Sequence, residues 1–268
     1  MKLFFTITFL FFFVAVNAQI FLVKFKDGRE AYGHLHTEEN IDNLQYGSTK
    51  KTETLKFLEI NSKEYVDVPS RSIDYFLFIK EGQPTYKYYA LPVRFIDSKT
   101  NEISDKEQMG FFNLLIDGPL QVYGSDFLEY LPYKKNYYKL QHRFLGMGYY
   151  FFKTEKTDYV VLTKPQTYGG SWPGFSTISA FLSECPDAKK IFDKKYPGEL
   201  SDKRVYEKML QKEVKDFEKV FKVENKKMKK IDRDLKKANG IGFLVKKIDL
   251  RFYQEIADIY NANCGNIN

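Results

Sequence analysis

The chain has 268 residues, a formal net charge of +7, 43% hydrophobic and 17% aromatic residues, with 20 Tyr and 25 Phe. That length holds one large or two small domains with a real core, and the aromatic content excludes a disordered chain. The basic balance points to anionic partners, and few functions beyond that are excluded by composition alone.

The first residues, MKLFFTITFLFFFVAVNAQ, place Lys2 ahead of an apolar run from Leu3 to Val16 and small residues up to Ala18. The run falls short of the roughly 20 residues that span a bilayer, so residues 1–18 read as a secretory signal cleaved after Ala18. Later apolar runs are broken by charge, Gly or Pro. The expectation is therefore a periplasmic or secreted protein with no transmembrane span after signal removal. Export also makes nucleic acid an improbable partner.

Residues 19–165 read as an antiparallel β domain. Ile20 to Phe25 and Glu30 to His36 flank the turn signal Asp27-Gly28. Leu55 to Ile60 and Glu64 to Val68 flank Asn61-Ser62-Lys63. Ser72 to Ile79, Tyr86 to Ile96 and Gly110 to Ile116 follow, and Asp117-Gly118-Pro119 leads into Leu120 to Tyr123. Tyr149 to Lys153 and Tyr159 to Leu162 flank a polar turn at Thr154 to Asp158. Short strands with no helix between them favour a mainly antiparallel sheet, as a sandwich, a partly closed barrel or a curved meander.

Residues 166–268 read as a helical C-terminal third, making the class α+β. Phe175 to Phe192 suggests one or two short helices, with Ser176 or Thr177 as a cap and Pro186 in a first turn. A basic amphipathic helix is expected over about 201–237, opening at Ser201-Asp202. Its stripe is Leu210, Val214, Phe217, Phe221, Met228, Ile231 and Leu235, interrupted at Glu224. Asn239-Gly240 reads as a helix stop, and a second helix is expected from Leu250 to Tyr260. The stripe suits either a core-facing side or a seam to a partner.

The positive charge is local. Residues 186–239 hold 18 Lys/Arg against 11 Asp/Glu, a net of +7 (18 − 11). Lys226, Lys227, Lys229 and Lys230 are the densest group and the candidate contact for an anionic envelope component or protein partner. Interleaved acids also fit a solvated helix face. The two cysteines, Cys185 and Cys264, permit a disulfide in an exported chain without requiring one.

Residue types for catalysis are present without their spacing. Gly174-Phe175-Ser176-Thr177-Ile178 lacks the second Gly of a nucleophile elbow, and Pro173 removes an N–H beside Ser171. The three His residues, His34, His36 and His142, sit in no motif that marks a catalytic base. Cys185, followed directly by Pro186, reads as structural. His34 and His36, two apart on a strand, share one face, but two ligands are not a metal site without His142, Glu38 or Glu39. Asp97 to Glu102 reads as a polar turn rather than a calcium loop, and Gly240-Ile241-Gly242 follows a helix pattern, unlike a dinucleotide loop. No catalytic residue, metal or cofactor is assigned. Tyr86, Tyr88, Tyr89, Tyr130, Tyr133, Tyr137 and Tyr138 lie partly beside Lys, a pairing that can hold sugars or anionic polymers or simply fill a sheet.

The signal ending VNAQ, the hairpin around KDGREAYGHL, the aromatic strand after VPSRSID, the hairpin DGPLQVYG, the late SECPDAKK and the terminal YNANC together resemble small exported proteins of Bacteroidota, of the flavobacterial kind. The resemblance covers most of the chain beyond the signal and implies export and a β-rich body followed by helices. It brings no catalytic residues. Ser201 to Lys237 departs from it and reads as an insertion. The expected function is an envelope-associated, non-enzymatic binding or interaction protein. The alternative is a hydrolase of envelope or extracellular polymer.

Overall fold

The computed structural model describes residues 20–36, 53–80, 83–97, 100–124, 150–163, 174–227 and 229–265. The signal segment through Ala18 lies outside them. Ten strands form one sheet among these residues: β1 Ile20–Phe25, β2 Glu30–Leu35, β3 Thr54–Glu59, β4 Val66–Pro69, β5 Ile73–Lys80, β6 Gln83–Arg94, β7 Gln108–Ile116, β8 Leu120–Gly124, β9 Tyr150–Thr154 and β10 Val160–Leu162. Their order is β10-β9-β8-β7-β6-β5-β1-β2-β3-β4. The first hairpin turns at Gly28, whose φ of +93° suits glycine. There Phe25 N–H donates to Arg29 O and Gly28 N–H to Phe25 O.

Strand β6 is 12 residues long, enough to serve two neighbours along one edge. Its first part pairs antiparallel with β5, while Val93 and Arg94 pair parallel with Val160 and Val161 of β10. This closes β6 to β10 into a partly closed five-stranded barrel, and the rest of the sheet continues from it.

Alternation of side chains then separates three cores. Val93, Phe112, Tyr123, Phe151, Val160 and Leu162 form the one inside the barrel, with the Phe112 and Phe151 rings 4.4 Å apart. The neighbouring residues Leu120, Val122, Tyr150, Phe152 and Val161 face outward to the helices. A bulge between Leu114 and Ile116 turns the end of β7 toward that same helical core. Phe21, Phe57, Phe76, Tyr88 and Phe111 anchor the third core, under the far half of the sheet.

Among the described residues four α-helices follow: α1 Phe175–Phe181, α2 Pro186–Lys195, α3 Glu199–Glu224 and α4 Lys230–Cys264. Several boundaries differ from expectation. Gly174, not Ser176 or Thr177, occupies the N-cap of α1, because its N–H is held by Thr163 O as the chain leaves β10 and its carbonyl already accepts from Ile178 N–H. Pro186 does lie in a first turn as expected, as the first residue of α2, where its fixed φ is favoured. Helix α3 opens at Glu199, after Pro197-Gly198, rather than at Ser201-Asp202.

The larger correction concerns residues 201–237, which do not form one helix. The chain reverses between Asn225 and Lys229, and α3 and α4 make an antiparallel hairpin. Asn225 is the reason. It is buried, its Nδ2 donates to Phe221 O at 3.0 Å, and its Oδ1 accepts from Lys236 Nζ at 2.8 Å. A side chain satisfying the last carbonyls ends the helix there. Nor does Asn239-Gly240 stop a helix: α4 runs through it and includes Leu250 to Tyr260.

The helices are fastened to the sheet at several points. Tyr253, fully buried, stacks on Tyr150 with ring centroids 4.3 Å apart. Thr163 Oγ1 donates to Tyr150 O at 2.8 Å, so Tyr253 OH, 2.7 Å away, is the donor to Thr163. Leu120 N–H donates to Asn261 Oδ1 at 2.9 Å. A disulfide joins Cys185, ahead of α2, to Cys264, the last residue of α4, with Cα atoms 6.2 Å apart.

Candidate functional site

The residue types considered for catalysis do not converge among the described residues. Ser176 is exposed on α1 over the helical core, whereas His34 and His36 lie on and just after β2, in the far half of the sheet. Ser171, Trp172, His142, Glu38 and Glu39 lie outside the described residues. The His36 ring meets Tyr65 edge-on at 5.0 Å. Among the described residues no three His, Cys, Asp or Glu side chains gather closely enough to hold a metal ion. Asp97 and Glu102 close a turn through Asp97 N–H to Glu102 O, with Asn101 at a positive φ of 56°.

Half of the tyrosines whose side chains are described are buried. Tyr88, Tyr123, Tyr150, Tyr206, Tyr253 and Tyr260 are buried. Tyr75, Tyr89 and Tyr123 form an edge-to-face series across β5, β6 and β8, with centroids 6.2 and 5.9 Å apart. Lys87 Nζ lies 3.9 Å from the Tyr75 centroid and 4.5 Å from that of Tyr89. An ammonium on those rings satisfies them within the chain. Tyr123 OH donates to Gln121 Oε1 at 3.0 Å, and burial pushes its pKa up to about 12. The side chain of Tyr86 and residues Tyr130, Tyr133, Tyr137 and Tyr138 lie outside the described residues.

One charged cluster sits where the barrel closes. Arg94 donates through Nε and Nη2 to Glu107 Oε1 at 3.0 and 2.7 Å, and its guanidinium lies 4.1 Å over the Tyr159 ring. Arg71 approaches the other Glu107 oxygen at 3.6 Å. The hydrogen bond to Glu107 holds Arg94 in its protonated form. Sequence reasoning assigned these residues nothing. They tie the last residue of β6 to the entries of β7 and β10, and this geometry stabilises the parallel closure.

The basic segment has a different geometry. At its base, Tyr206, Leu210, Leu244, Ile248 and Phe252 join the helical core. Tyr206 OH donates to the buried Asp249. Beyond Leu210 the two helices meet each other. Phe217 and Phe221 lie 5.5 Å apart, and the Phe217 ring rests against Gly240 so closely that a Cβ there would sit 2.3 Å from Cζ. Phe221 is buried, yet it belongs to none of the three cores of the body. The stripe is therefore divided: Leu210 packs on the body's helical core, while Phe217 and Phe221 form an internal seam of the hairpin; Met228 and the side chains of Ile231 and Leu235 lie outside the description. From Leu210 to Asn225, at about 1.5 Å per residue, the hairpin extends roughly 22 Å past its base.

Charge is sorted along this hairpin. Three acids of its shank are paired: Glu218 with Lys237 at 2.8 Å, Asp216 with Lys219 at 3.0 Å, and Glu213 with Arg251 at 4.0 Å. At the tip, Lys226, Lys227, Lys229 and Lys230 are all exposed, and none of them pairs with a described acidic side chain; the side chains of Asp232 and Asp234 lie outside the described ones. Two apolar side chains also stand in solvent just behind them, Val220 at 57% and Val223 at 78% exposure. Sequence reasoning missed this valine pair. The signal for it was phase, since both fall off the stripe formed by Leu210, Val214, Phe217 and Phe221.

No family model, no curated protein and no solved structure matches this chain.

Proposed function

We propose that this is an exported, non-enzymatic binding protein of the cell envelope, with the α3–α4 hairpin as the element that contacts an anionic envelope component. One observation carries the reading. Glu213, Asp216 and Glu218 pair with basic side chains on the shank, while four exposed lysines at the far end pair with no described acidic side chain. A solvated helix face with mixed charge would not sort its charges this way, whereas a contact element for an anionic surface would. Export rests on the signal pattern ending at Ala18. The disulfide of Cys185 and Cys264 is compatible with it, since such bonds persist in oxidising compartments.

The test is to replace residues 211–241 by a short Gly–Ser linker, which leaves the base of both helices in the core. Parent and shortened proteins are then compared for sedimentation with isolated envelopes. The parent is expected to co-sediment in a salt-sensitive manner and the shortened protein to remain in solution. Equal retention of the two, with the far-UV circular dichroism of the body intact, would remove the hairpin from the function.

A further inference from the structure

We infer that the anionic component is a lipid bilayer surface, and that the hairpin meets it tip first with Val220 and Val223 entering among the headgroups. This deepens the reading above and rests on it. Residues 220–230 carry five lysines and one acid, a net of +4 (5 − 1) over the last turn of α3 and the reversal. Five lysines in a projecting tip is within the density at which anionic lipid headgroups bind basic segments.

Charge alone would serve a soluble polyanion equally well. The valines separate the two. Val220 and Val223 are three residues apart, so they lie on one side of α3, exposed while Phe221 is buried and Phe217 half-buried in the seam. Lys219 and Lys222, both exposed, flank them. Exposed β-branched side chains beside a ring of ammonium groups gain nothing from a hydrated polymer. At a bilayer they leave water for the headgroup and acyl boundary while the lysine heads stay at the phosphates. Val220 lies about 7.5 Å along the helix from Asn225, within the roughly 5–10 Å depth to which interfacial segments enter. Among the described residues no helix is long and apolar enough to cross the bilayer, so the contact proposed is with one leaflet.

The experiment uses the purified protein and three probes: vesicles of phosphatidylcholine alone, vesicles with one-third phosphatidylglycerol, and soluble polyphosphate. Two variants accompany it, V220S/V223S and K226Q/K227Q/K229Q/K230Q, both confined to exposed positions. Flotation should show binding to the phosphatidylglycerol vesicles only. V220S/V223S should weaken that binding about tenfold and leave polyphosphate binding unchanged. The lysine variant should lower vesicle binding at least a hundredfold, since each lysine near an anionic surface is worth about a fivefold change. Vesicle binding by V220S/V223S equal to that of the parent would overturn the lipid inference and leave the anionic reading standing. So would parent binding to polyphosphate without binding to vesicles. Parent protein that binds none of the three probes would overturn both.

Discussion

The barrel–helix seam and the far half of the hairpin contain the same kinds of side chain, yet they are held differently. At the seam each ring has neighbours from sheet and helix together: Phe152 touches Phe181 and Tyr253, and Tyr253 stacks on Tyr150 and bonds Thr163. In the far hairpin Phe217 meets Phe221 and Gly240 of the facing helix, and among the described residues neither ring belongs to a core of the body. The difference teaches that the hairpin is carried by the body rather than part of its core. The body can therefore remain folded while the tip is altered, which suits an element specialised for contact.

The disulfide is the sharpest way to break that arrangement. Cys185 and Cys264 lie 79 residues apart, and the whole hairpin is inside the loop they close. The chain-entropy relation gives about 4.5 kcal/mol for a loop of that length. Replacing both cysteines by Ala should lower the urea midpoint of the entire body by a corresponding amount. A change below about 1 kcal/mol would mean that the loop ends are already held together by packing in the unfolded ensemble.

Next in size are two matched truncations. Phe152→Ala opens a cavity in a side chain with 0% exposure and should cost about 3–5 kcal/mol in equilibrium unfolding. Phe221→Ala should cost less than half as much, because two helices with one free side can close over the gap. Equal costs would place the hairpin seam in the same cooperative unit as the barrel.

Alkali separates the regions by chemistry. Burial holds the Tyr123 pKa at about 12, and it raises that of Tyr253 as well. Residues 211–243 contain no Tyr. An unfolded tyrosine loses its proton near pH 10. The folded pKa is raised, so the stability these groups contribute is fully present below pH 10 and is lost as pH rises from 10 through about 12. Urea midpoints measured from pH 9 to 12 should fall, and less steeply in Tyr123→Phe. A parallel decline in parent and variant would show that the Tyr123 hydroxyl is not sheltered.

Much of the body was legible in sequence because alternation and turns report directly on sheets. Ile20 to Phe25, Asp27-Gly28 and Leu120 to Tyr123 carry their own signals, and each lies where the pattern puts it. The barrel closure was not legible. It depends on two residues of a three-residue strand, Val160 and Val161, pairing in parallel with a strand over sixty positions earlier, with no turn to announce it. The hairpin was half legible. A heptad-like stripe looks the same on a straight helix and on one folded back on itself, and only the interruption at Glu224 and Asn225 marked the fold. The four tip lysines were visible as a charge run, but their separation from the shank acids exists only after the chain has reversed.

Gly240 carries the smallest effect and the finest test of the seam. In sequence, Asn239-Gly240 resembles a helix end, since Gly is a poor helix former and a common C-terminal punctuation. In α4 the glycine sits mid-helix, where Ala would ordinarily be better by about 1 kcal/mol. A Cβ there would lie 2.3 Å from Phe217 Cζ, so the ring must move, and that overpacking costs about 1–3 kcal/mol. Gly240→Ala should therefore loosen the tip slightly, seen as faster amide exchange in residues 230–243 with the body unchanged. In a Phe217→Ala background the same substitution should change sign and stabilise, because only the helix preference remains. That reversal in a double-mutant cycle is the signature of a close helix–helix approach. Stabilisation by Gly240→Ala in both backgrounds would instead mean that the helices do not touch there, and the lysine tip would lose the seam that holds it out from the body.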